Sequence, residues 1–290
     1  MRNYDEVESF PVIITKSSFD DDDYDDDYDD DYNDDYDDED EFSSGTTGDC
    51  TWTFEGGILT ISGNGKMADY DYQEDSAAPW GTNITEVIIQ DGVLNIGDNA
   101  FYWCDDLESI IIPDSVTSIG VAAFYDCSQL KSITIPNSVV SIGKEAFYSC
   151  YSLTSITIPN GVTSIDDYAF LSCDSISSVT IPNSVSYIGK GVFADCESLA
   201  KIDVSEGNQH FSSVKGVLFN KNKTTLIACP NAINGRYSIP DGVTSIGDCT
   251  FDGCYDLANV TIPDSVTSIG NSAFYACQSL TNVTIPDSVT

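Results

Sequence analysis

A fixed 23-residue period runs through most of this chain and constrains its fold more than any other feature. One unit begins at Pro113 and the next at Pro136. Three residue types keep the same step: Pro113, Pro136, Pro159 and Pro182; Phe101, Phe124, Phe147, Phe170 and Phe193; and Cys104, Cys127, Cys150, Cys173 and Cys196. The cysteine after Cys196 on this period is Cys254, 58 residues later, and the step then resumes. A period of 20 to 50 residues is the signature of a solenoid, in which each unit stacks on its neighbours.

Each unit reads as two short strands and a corner. Residues 132–135 alternate polar and apolar side chains, which is typical of a half-buried strand. Pro136 ends that strand because it cannot donate to a ladder. Residues 139–142 form a second β-prone stretch, Gly143 permits a turn, and residues 144–148 are long enough for about one helical turn. The prediction is a β-rich repeat solenoid with short strands and short helical turns.

The pattern resembles a known family. The string Ser-Leu-Thr-Ser-Ile-Thr-Ile-Pro-Asn-Gly-Val-Thr-Ser-Ile at 152–165, followed by Ala169-Phe170 and Cys173, is similar to the BspA-type leucine-rich repeats of bacterial surface proteins. The resemblance covers roughly residues 49 to 290. It implies a right-handed, leucine-rich-repeat-like stack of coils that begins with an N-terminal β-hairpin cap. It also implies an extracellular or cell-surface location, although residues 1–19 do not form a signal peptide.

Composition changes divide the chain into five parts. Residues 20–42 carry 17 acidic and no basic residues, a charge block that cannot bury a core. The chain also ends in the middle of a unit, which indicates a fragment or the front of a longer protein. The parts are 1–48, a disordered acidic Asp/Tyr tail and joint; 49–82, the β cap; 83–204, leucine-rich repeats; 205–239, an irregular repeat with a hairpin insertion; and 240–290, leucine-rich repeats with a truncated end.

Charge and hydropathy exclude several classes of partner. The formal net charge is −37, so the chain lacks the clustered cations that bind nucleic acid or anionic membrane surfaces. No apolar run approaches the ~18 residues of a membrane span. The oxygen-rich acidic tract suits a weak, multi-site association with Ca²⁺, with a plain spacer as the alternative.

The cysteines and the single histidine do not form a recognisable chemical site. Seven of the ten cysteines occupy one repeat position, so we interpret them as reduced, buried, small apolar side chains. The others, Cys50, Cys229 and Cys249, lie outside any CxxC or Cys/His array, and no zinc site or other cofactor is expected. His210 has no nucleophile motif beside it, and the chain contains no P-loop, G-x-S-x-G or H-E-x-x-H. We therefore expect no enzymatic activity.

Two surfaces are candidates for binding. The first is the outward side of the first strand of each coil, an extended row of hydroxyl and charged side chains: Ser132, Thr134, Ser155, Thr157, Ser178, Thr180, Lys201 and Asp203. The second is a hairpin formed by 214–219 and 224–228, with cations in a strongly acidic protein: Lys215, Lys221, Lys223 and Arg236. Serine and threonine also simply suit an exposed strand, and the hairpin also reads as ordinary solvated surface.

These patterns favour a non-catalytic protein-binding or adhesion module on a bacterial surface or secreted, whose ligand is a protein or a surface glycan. The alternative is a structural spacer within a larger cell-wall-associated protein. A hydroxyl ladder that orders water, as in ice-binding solenoids, is a third interpretation, which the irregular corners of the coils oppose.

Overall fold

The computed structural model describes residues 43–71 and 77–290. Within these ranges the chain forms 20 strands and no helix. The strands are β1 (Ser43–Thr47), β2 (Cys50–Glu55), β3 (Ile58–Gly63), β4 (Glu86–Ile89), β5 (Asn95–Ile96), β6 (Ser109–Ile111), β7 (Ser118–Ile119), β8 (Ser141–Ile142), β9 (Ser164–Ile165), β10 (Ser178–Ile181), β11 (Tyr187–Ile188), β12 (Lys201–Val204), β13 (Phe211–Val214), β14 (Val217–Asn220), β15 (Thr225–Ala228), β16 (Gly235–Ser238), β17 (Ser245–Ile246), β18 (Leu257–Thr261), β19 (Ser268–Ile269) and β20 (Asn282–Val283). The acidic tract at 20–42, and with it the predicted Ca²⁺ association, lies outside the described residues.

The described chain is a β-solenoid of about nine coils, which confirms the predicted repeat fold. Each regular coil contributes two short stretches to two rows that run along the stack. In the second row, β5, β7, β8, β9 and β11 pair in parallel, and each residue faces the residue 23 positions later. Because the register aligns equivalent residues, every coil turns the same side chain of this row inward, and Ile119 and its equivalents Ile96, Ile142 and Ile165 are buried.

The first row is less regular than the sequence predicts. Its strands β4 and β6 pair with each other, as do β10 and β12, and β16, β18 and β20 form a further sheet. Residues 130–135 and 153–158 form no strand, although they occupy the same repeat position. The burial pattern is still the predicted one: Ile133 and Ile135 are buried while Ser132 and Thr134 are exposed. Inward packing of the isoleucines therefore holds these coils in register without a continuous ladder.

Two columns of side chains build the core. The rings of Phe101, Phe124, Phe147, Phe170 and Phe193 stack from coil to coil with centroids 5.1 to 5.7 Å apart. Beside them run the period cysteines, all free thiols. Five of the seven thiols, those of Cys127, Cys150, Cys173, Cys196 and Cys277, donate a hydrogen bond to a phenylalanine carbonyl of the preceding coil, as Cys150 Sγ does to Phe124 O at 3.2 Å. The cysteines thus satisfy buried carbonyl groups as well as filling space, a role that their apolar spacing does not reveal.

The corners contain paired left-handed residues where the sequence predicts a helical turn. In one coil these are Glu145 (φ 57°) and Ser149 (φ 57°), on either side of the buried Ala146-Phe147 pair. The alternation prevents a helix, since a helix needs consecutive right-handed residues. It also turns backbone groups outward along the stack: Glu145 N–H donates to Asp167 O at 2.9 Å and Phe147 N–H to Ala169 O at 2.8 Å. The predicted helical turns are therefore wrong, and a third row of coil-to-coil hydrogen bonds replaces them.

The N-terminal cap is the predicted hairpin with one extra strand. Strands β2 and β3 pair antiparallel, and β3 continues in parallel into β4 of the first coil. The buried ring of Trp80 lies 5.9 Å from Trp52 and 6.0 Å from Phe101, so it closes the phenylalanine column. The segment 43–48, expected to be a flexible joint, instead supplies β1, which pairs antiparallel with β2. Thr47 of this segment is buried, and the Thr47 hydroxyl accepts a hydrogen bond from the Tyr70 hydroxyl at 2.6 Å. These contacts hold residues 43–47 against the cap as a strand.

The irregular repeat inserts a three-stranded meander, β13-β14-β15, and one shortened coil. Strand β15 continues in parallel into β17, and β16 into β18, so both rows resume after the insertion. Strand β14 lies between two halves of the core: Leu218 packs with the cluster that precedes it, and Val217 and Phe219 with the one that follows. Both faces of β14 are therefore buried.

At the corner the shortened coil does not separate Asp195 from Asp252, and the regular coils on its two sides meet there. Asp195 N–H donates to Asp252 O at 3.2 Å, across the insertion. The buried Asn231 fills the space inside, where its amide oxygen accepts from Cys196 N–H at 3.2 Å and its amide nitrogen donates to Asp252 O at short range. The insertion therefore interrupts the strand side of the solenoid but not its corner.

Candidate binding surfaces

The strand face, as we call the outward side of the first row, carries the first predicted set of residues. Ser132, Thr134, Ser155, Thr157, Ser178, Thr180 and Lys201 are exposed, and Asp203 is half-buried. Ser178 faces Lys201 and Thr180 faces Asp203 across the β10–β12 pair. The Lys201 ammonium lies 2.7 Å from the Asp203 carboxylate, an exposed ion pair on the same strand. The structure thus aligns this set in columns on one face.

The cations predicted for the hairpin do not form one cluster. Lys215 occupies the two-residue turn between β13 and β14, whereas Lys221 and Lys223 lie in the turn between β14 and β15. These turns are at opposite ends of β14, which places them roughly 15–20 Å apart at ~3.3 Å per residue. The Lys221 ammonium also donates at short range to Asn208 O, in the segment that precedes β13.

The insertion nevertheless adds cations to the strand face. Gly216 lies so close to Lys201 that an added Cβ would be 2.8 Å from the lysine Cβ, so the turn carrying Lys215 abuts the end of β12. Arg236 is exposed on β16 and pairs in register with Asn259, which in turn pairs with Asn282. Arg236 therefore belongs to the strand face rather than to the hairpin. Lys201, Lys215 and Arg236 border the place where the meander divides this face.

A second exposed surface, which the sequence analysis did not single out, lies at the corner. We define the corner face as the five residues after each period phenylalanine: 102–106, 125–129, 148–152, 171–175, 194–198, 252–256 and 275–279. These segments contain eight carboxylates, seven tyrosine or tryptophan residues and no lysine or arginine. Aligning the residues that follow each phenylalanine would have revealed this composition, because it recurs with the period.

Aromatic rings occupy the first half of the corner face. The rings of Tyr102, Tyr125 and Tyr148 stack with centroids 4.7 and 4.5 Å apart, and each of the three residues is half-buried. Trp103 packs beside Tyr102 at 5.2 Å and is 56% exposed. Burial, and then the neighbouring tyrosines, raise the pKa of Tyr125, so this hydroxyl keeps its proton.

Carboxylates surround an open cleft in the second half. The cleft has a volume of about 570 Å³ and is lined by Glu197, Asn231, Ala232, Tyr255, Asp256 and Gln278. Asn231 and the exposed Ala232 belong to the shortened coil, so the cleft lies where this coil comes between the regular coils on its two sides. Asp195 is at its edge, accepting hydrogen bonds from Tyr255 Oη at 2.6 Å and Ser172 Oγ at 3.1 Å. Within residues 43–71 and 77–290, no group of three or more Asp, Glu, His or Cys side chains is arranged to hold a metal ion.

Two aspartates of this half have perturbed acidities. Burial, followed by the charges of Glu197 and Asp195, raises the pKa of Asp174 to about 6. Burial, followed by Asp195, raises the pKa of Asp252 to about 6. Asp174 Oδ1 is itself buried and has no hydrogen-bond partner in the described part of the chain. In this half of the face the carboxylates therefore lie close enough together to disfavour one another's ionised forms.

The rows of parallel strands, the stacked phenylalanines and the 23-residue register define a leucine-rich-repeat solenoid. The profile of the BspA type leucine rich repeat region matches residues 94–225 and 231–290, and the chain belongs to this family. No curated protein matches the chain. No helix among the described residues has the length and apolar character needed to cross a membrane.

Solved structures of similar fold are bacterial leucine-rich repeat proteins. A leucine-rich repeat protein from Eubacterium ventriosum is 28% identical, with a TM-score of 0.63, and the match covers 80% of this chain and 63% of that one. A leucine rich cell surface protein from Faecalibacterium prausnitzii is 28% identical, with a TM-score of 0.60, over 86% of this chain and 84% of that one. The pneumococcal vaccine antigen PcpA shares the fold at 24% identity and a TM-score of 0.68, over 85% of this chain and 71% of that one. The chain thus spans less than two thirds of the Eubacterium ventriosum protein.

Proposed function

We propose that this chain is a non-catalytic protein-binding or adhesion module at a bacterial cell surface. The family supports a repeat module, and the Faecalibacterium prausnitzii relative is itself described as a cell surface protein. The single observation that carries the binding role is the strand face, where exposed polar side chains repeat in columns on coils that a packed core holds in register. Extended faces of this kind are the surfaces that solenoids commonly use for binding.

The part of the strand face that best suits a specific contact is the border of the meander. Lys201, the turn carrying Lys215, and Arg236 supply cations there, whereas the serines and threonines of the earlier coils are chemically uniform. Arginine is frequent at the energetic centres of interfaces, and isolated cations in an acidic protein attract acidic groups of a partner. The ligand is a protein or a surface glycan that carries such groups.

Binding of fluorescently labelled full-length chain to epithelial cells and to bacterial cells, measured by flow cytometry, tests this function. We expect saturable binding that the double change Lys215→Glu and Arg236→Glu weakens without lowering the melting temperature. The matched control is Lys221→Glu with Lys223→Glu, which makes the same charge change at the far end of β14. If the two double variants weaken binding equally, the loss comes from the change in net charge and not from the border of the meander.

A structural spacer is the second candidate, and the backbone bonding favours it. Three rows of coil-to-coil contacts, two of strands and one at the corner, run along the stack. Such bonding resists bending, which a spacer needs. The absence of saturable binding to either cell type, combined with a cooperative and high thermal transition, would support the spacer and contradict the binding module.

A further inference from the structure

We propose that the corner face binds a cationic, arginine- or lysine-rich segment of a protein partner, laid along the stack of coils. This inference deepens the proposed binding function and rests on it, but it concerns a different surface of the coils from the one that carries that proposal. The partner chemistry follows from three features of the face: its charge, its aromatic groups and its continuity.

Charge is the first feature. The corner face has eight carboxylates and no lysine or arginine in seven coils. The neighbouring cations Lys131 and Lys144 are paired with Glu108 at 2.8 Å and Glu145 at 3.0 Å, so they do not neutralise the face.

The aromatic groups are the second feature, and several of them can contact a cation. Sugars stack on exposed ring faces, but Tyr102, Tyr125 and Tyr148 cover one another's faces at 4.5 to 4.7 Å. These three half-buried tyrosines therefore add hydroxyl groups, which can accept hydrogen bonds from guanidinium or ammonium groups, rather than open ring faces. Three rings of the face are exposed, Trp103 at 56%, Tyr151 at 44% and Tyr275 at 68%, and a tryptophan face is the best aromatic platform for a cation.

Continuity allows one extended segment to contact the whole face. Asp195 and Asp252 are hydrogen-bonded across the insertion, so the seven coils of the corner face follow one another without a gap. At ~4.8 Å per coil the face is roughly 30 Å long. An extended peptide of about ten residues covers roughly 33 Å at ~3.3 Å per residue. Its side chains would reach Trp103 at one end and the cleft of about 570 Å³ at the other.

The cleft gives this surface a place for one side chain to become desolvated. Glu197, Asp256 and the hydroxyl of Tyr255 line it, with Asp195 at its edge. The described residues of this region do not form a metal-ion site, so an elongated organic cation fits them better than Ca²⁺. An arginine enters such a site through several N–H donors at once, each with a carboxylate or hydroxyl partner.

Deca-arginine is the probe, added to the full-length chain at physiological salt. The readout is acrylamide quenching of tryptophan fluorescence, because Trp52 and Trp80 are 6% and 5% exposed while Trp103 is 56% exposed. Binding at the corner face should protect Trp103 from acrylamide. A peptide that binds only to the acidic tract at 20–42 does not protect Trp103, so it leaves the quenching unchanged. In a Trp103→Phe variant the protection from acrylamide should disappear, because the remaining tryptophans are buried.

Two matched variants separate the face from general charge. The face variant replaces four exposed carboxylates: Asp105→Asn, Asp106→Asn, Glu197→Gln and Asp256→Asn. The control variant makes the same net-charge change at the proline end of four coils, at exposed positions: Asp91→Asn, Asp114→Asn, Asp241→Asn and Asp264→Asn. We expect the face variant to weaken protection of Trp103 by about tenfold or more in peptide concentration, and the control by less than about threefold.

Equal losses in the two variants would overturn the proposal, because the peptide would then respond only to net charge. Protection of Trp103 by a neutral oligosaccharide but not by deca-arginine would also overturn it, and would identify a glycan surface instead. Either failure leaves the cell-binding results for Lys215 and Arg236 unchanged, so it is distinguishable from failure of the proposed function.

Discussion

The adjacent residues Ala122 and Ala123 offer a direct test of the left-handed corners. Both are buried, at 5% and 0% exposure, but only Ala122 has a positive φ, of 49°. Replacing either by glycine removes one methyl group, at a cost of about 0.8 kcal/mol if it is fully buried, and adds a backbone entropy cost of about 0.5–1 kcal/mol. These two costs are shared by both variants.

The two variants differ in the free-energy cost of the left-handed backbone conformation, which only residue 122 adopts. It costs a residue with a Cβ about 1–2 kcal/mol, which glycine does not incur. Ala123→Gly should therefore destabilise the protein by about 1.5 kcal/mol, whereas in Ala122→Gly the gain and the costs nearly cancel, leaving a change within about 0.5 kcal/mol. The chain itself has Gly191, with φ 59°, at the position equivalent to Ala122, so glycine is compatible with this corner.

Urea unfolding of the full-length chain, followed by circular dichroism, measures the difference. We expect the midpoint of Ala122→Gly to remain near that of the parent chain and the midpoint of Ala123→Gly to fall clearly below it. The slopes of the two transitions should match, as they do when the surface exposed on unfolding is unchanged. Equal destabilisation by both substitutions would refute the left-handed assignment at 122.

Three further results are expected. Cys150→Ala should destabilise the chain by about 1–3 kcal/mol in urea unfolding, because it leaves a small cavity in the core and removes one of the two donors to the Phe124 carbonyl, which keeps only the Cys127 N–H at 3.3 Å, whereas Cys150→Ser, which retains a donor, should cost less. Burial and neighbouring charge raise the folded-state pKa of Asp252 to about 6, so protonation of this carboxyl stabilises the fold at pH values below its unfolded-state pKa, and this stabilisation is lost as the pH rises through about 6. Asp252→Asn should therefore make the melting temperature depend less on pH between pH 4 and pH 7. An unchanged dependence of the melting temperature on pH would contradict the raised pKa. Removing residues 1–48 should lower the melting temperature by several degrees relative to removing residues 1–42, since the larger deletion takes away β1 with its buried Thr47, and equal melting temperatures would show that β1 does not stabilise the cap.

The core of this fold could be predicted because its packing repeats with the sequence. A buried phenylalanine must meet its equivalent in the next coil, so the recurrence of Phe124, Phe147 and Phe170 is enough to predict the stack. The left-handed corners could not be predicted in the same way, because Ala122 and Glu145 carry no side-chain signal for a positive φ. The glycine at 191, a position where other coils have larger residues, was the one available indication.

The candidate surfaces were predictable only in part. Alternation in the strands correctly places Thr134 and Thr157 outside, because a period of two leaves one face to solvent. The grouping of Lys215 with Lys221 and Lys223 failed because the sequence does not reveal β13, which moves Lys215 into a separate turn. The cleft could not be predicted at all, since it arises where the shortened coil comes between the regular coils on its two sides.

The contact between Asp195 and Tyr255 tests most directly whether the coils on the two sides of the insertion stack on each other. Tyr255 Oη donates to Asp195 Oδ1 at 2.6 Å, although the residues are 60 positions apart. In a double-mutant cycle with Asp195→Asn and Tyr255→Phe, measured by urea unfolding, direct stacking predicts a coupling energy of about 1 kcal/mol or more. Additive effects, with a coupling near zero, would contradict a continuous corner face.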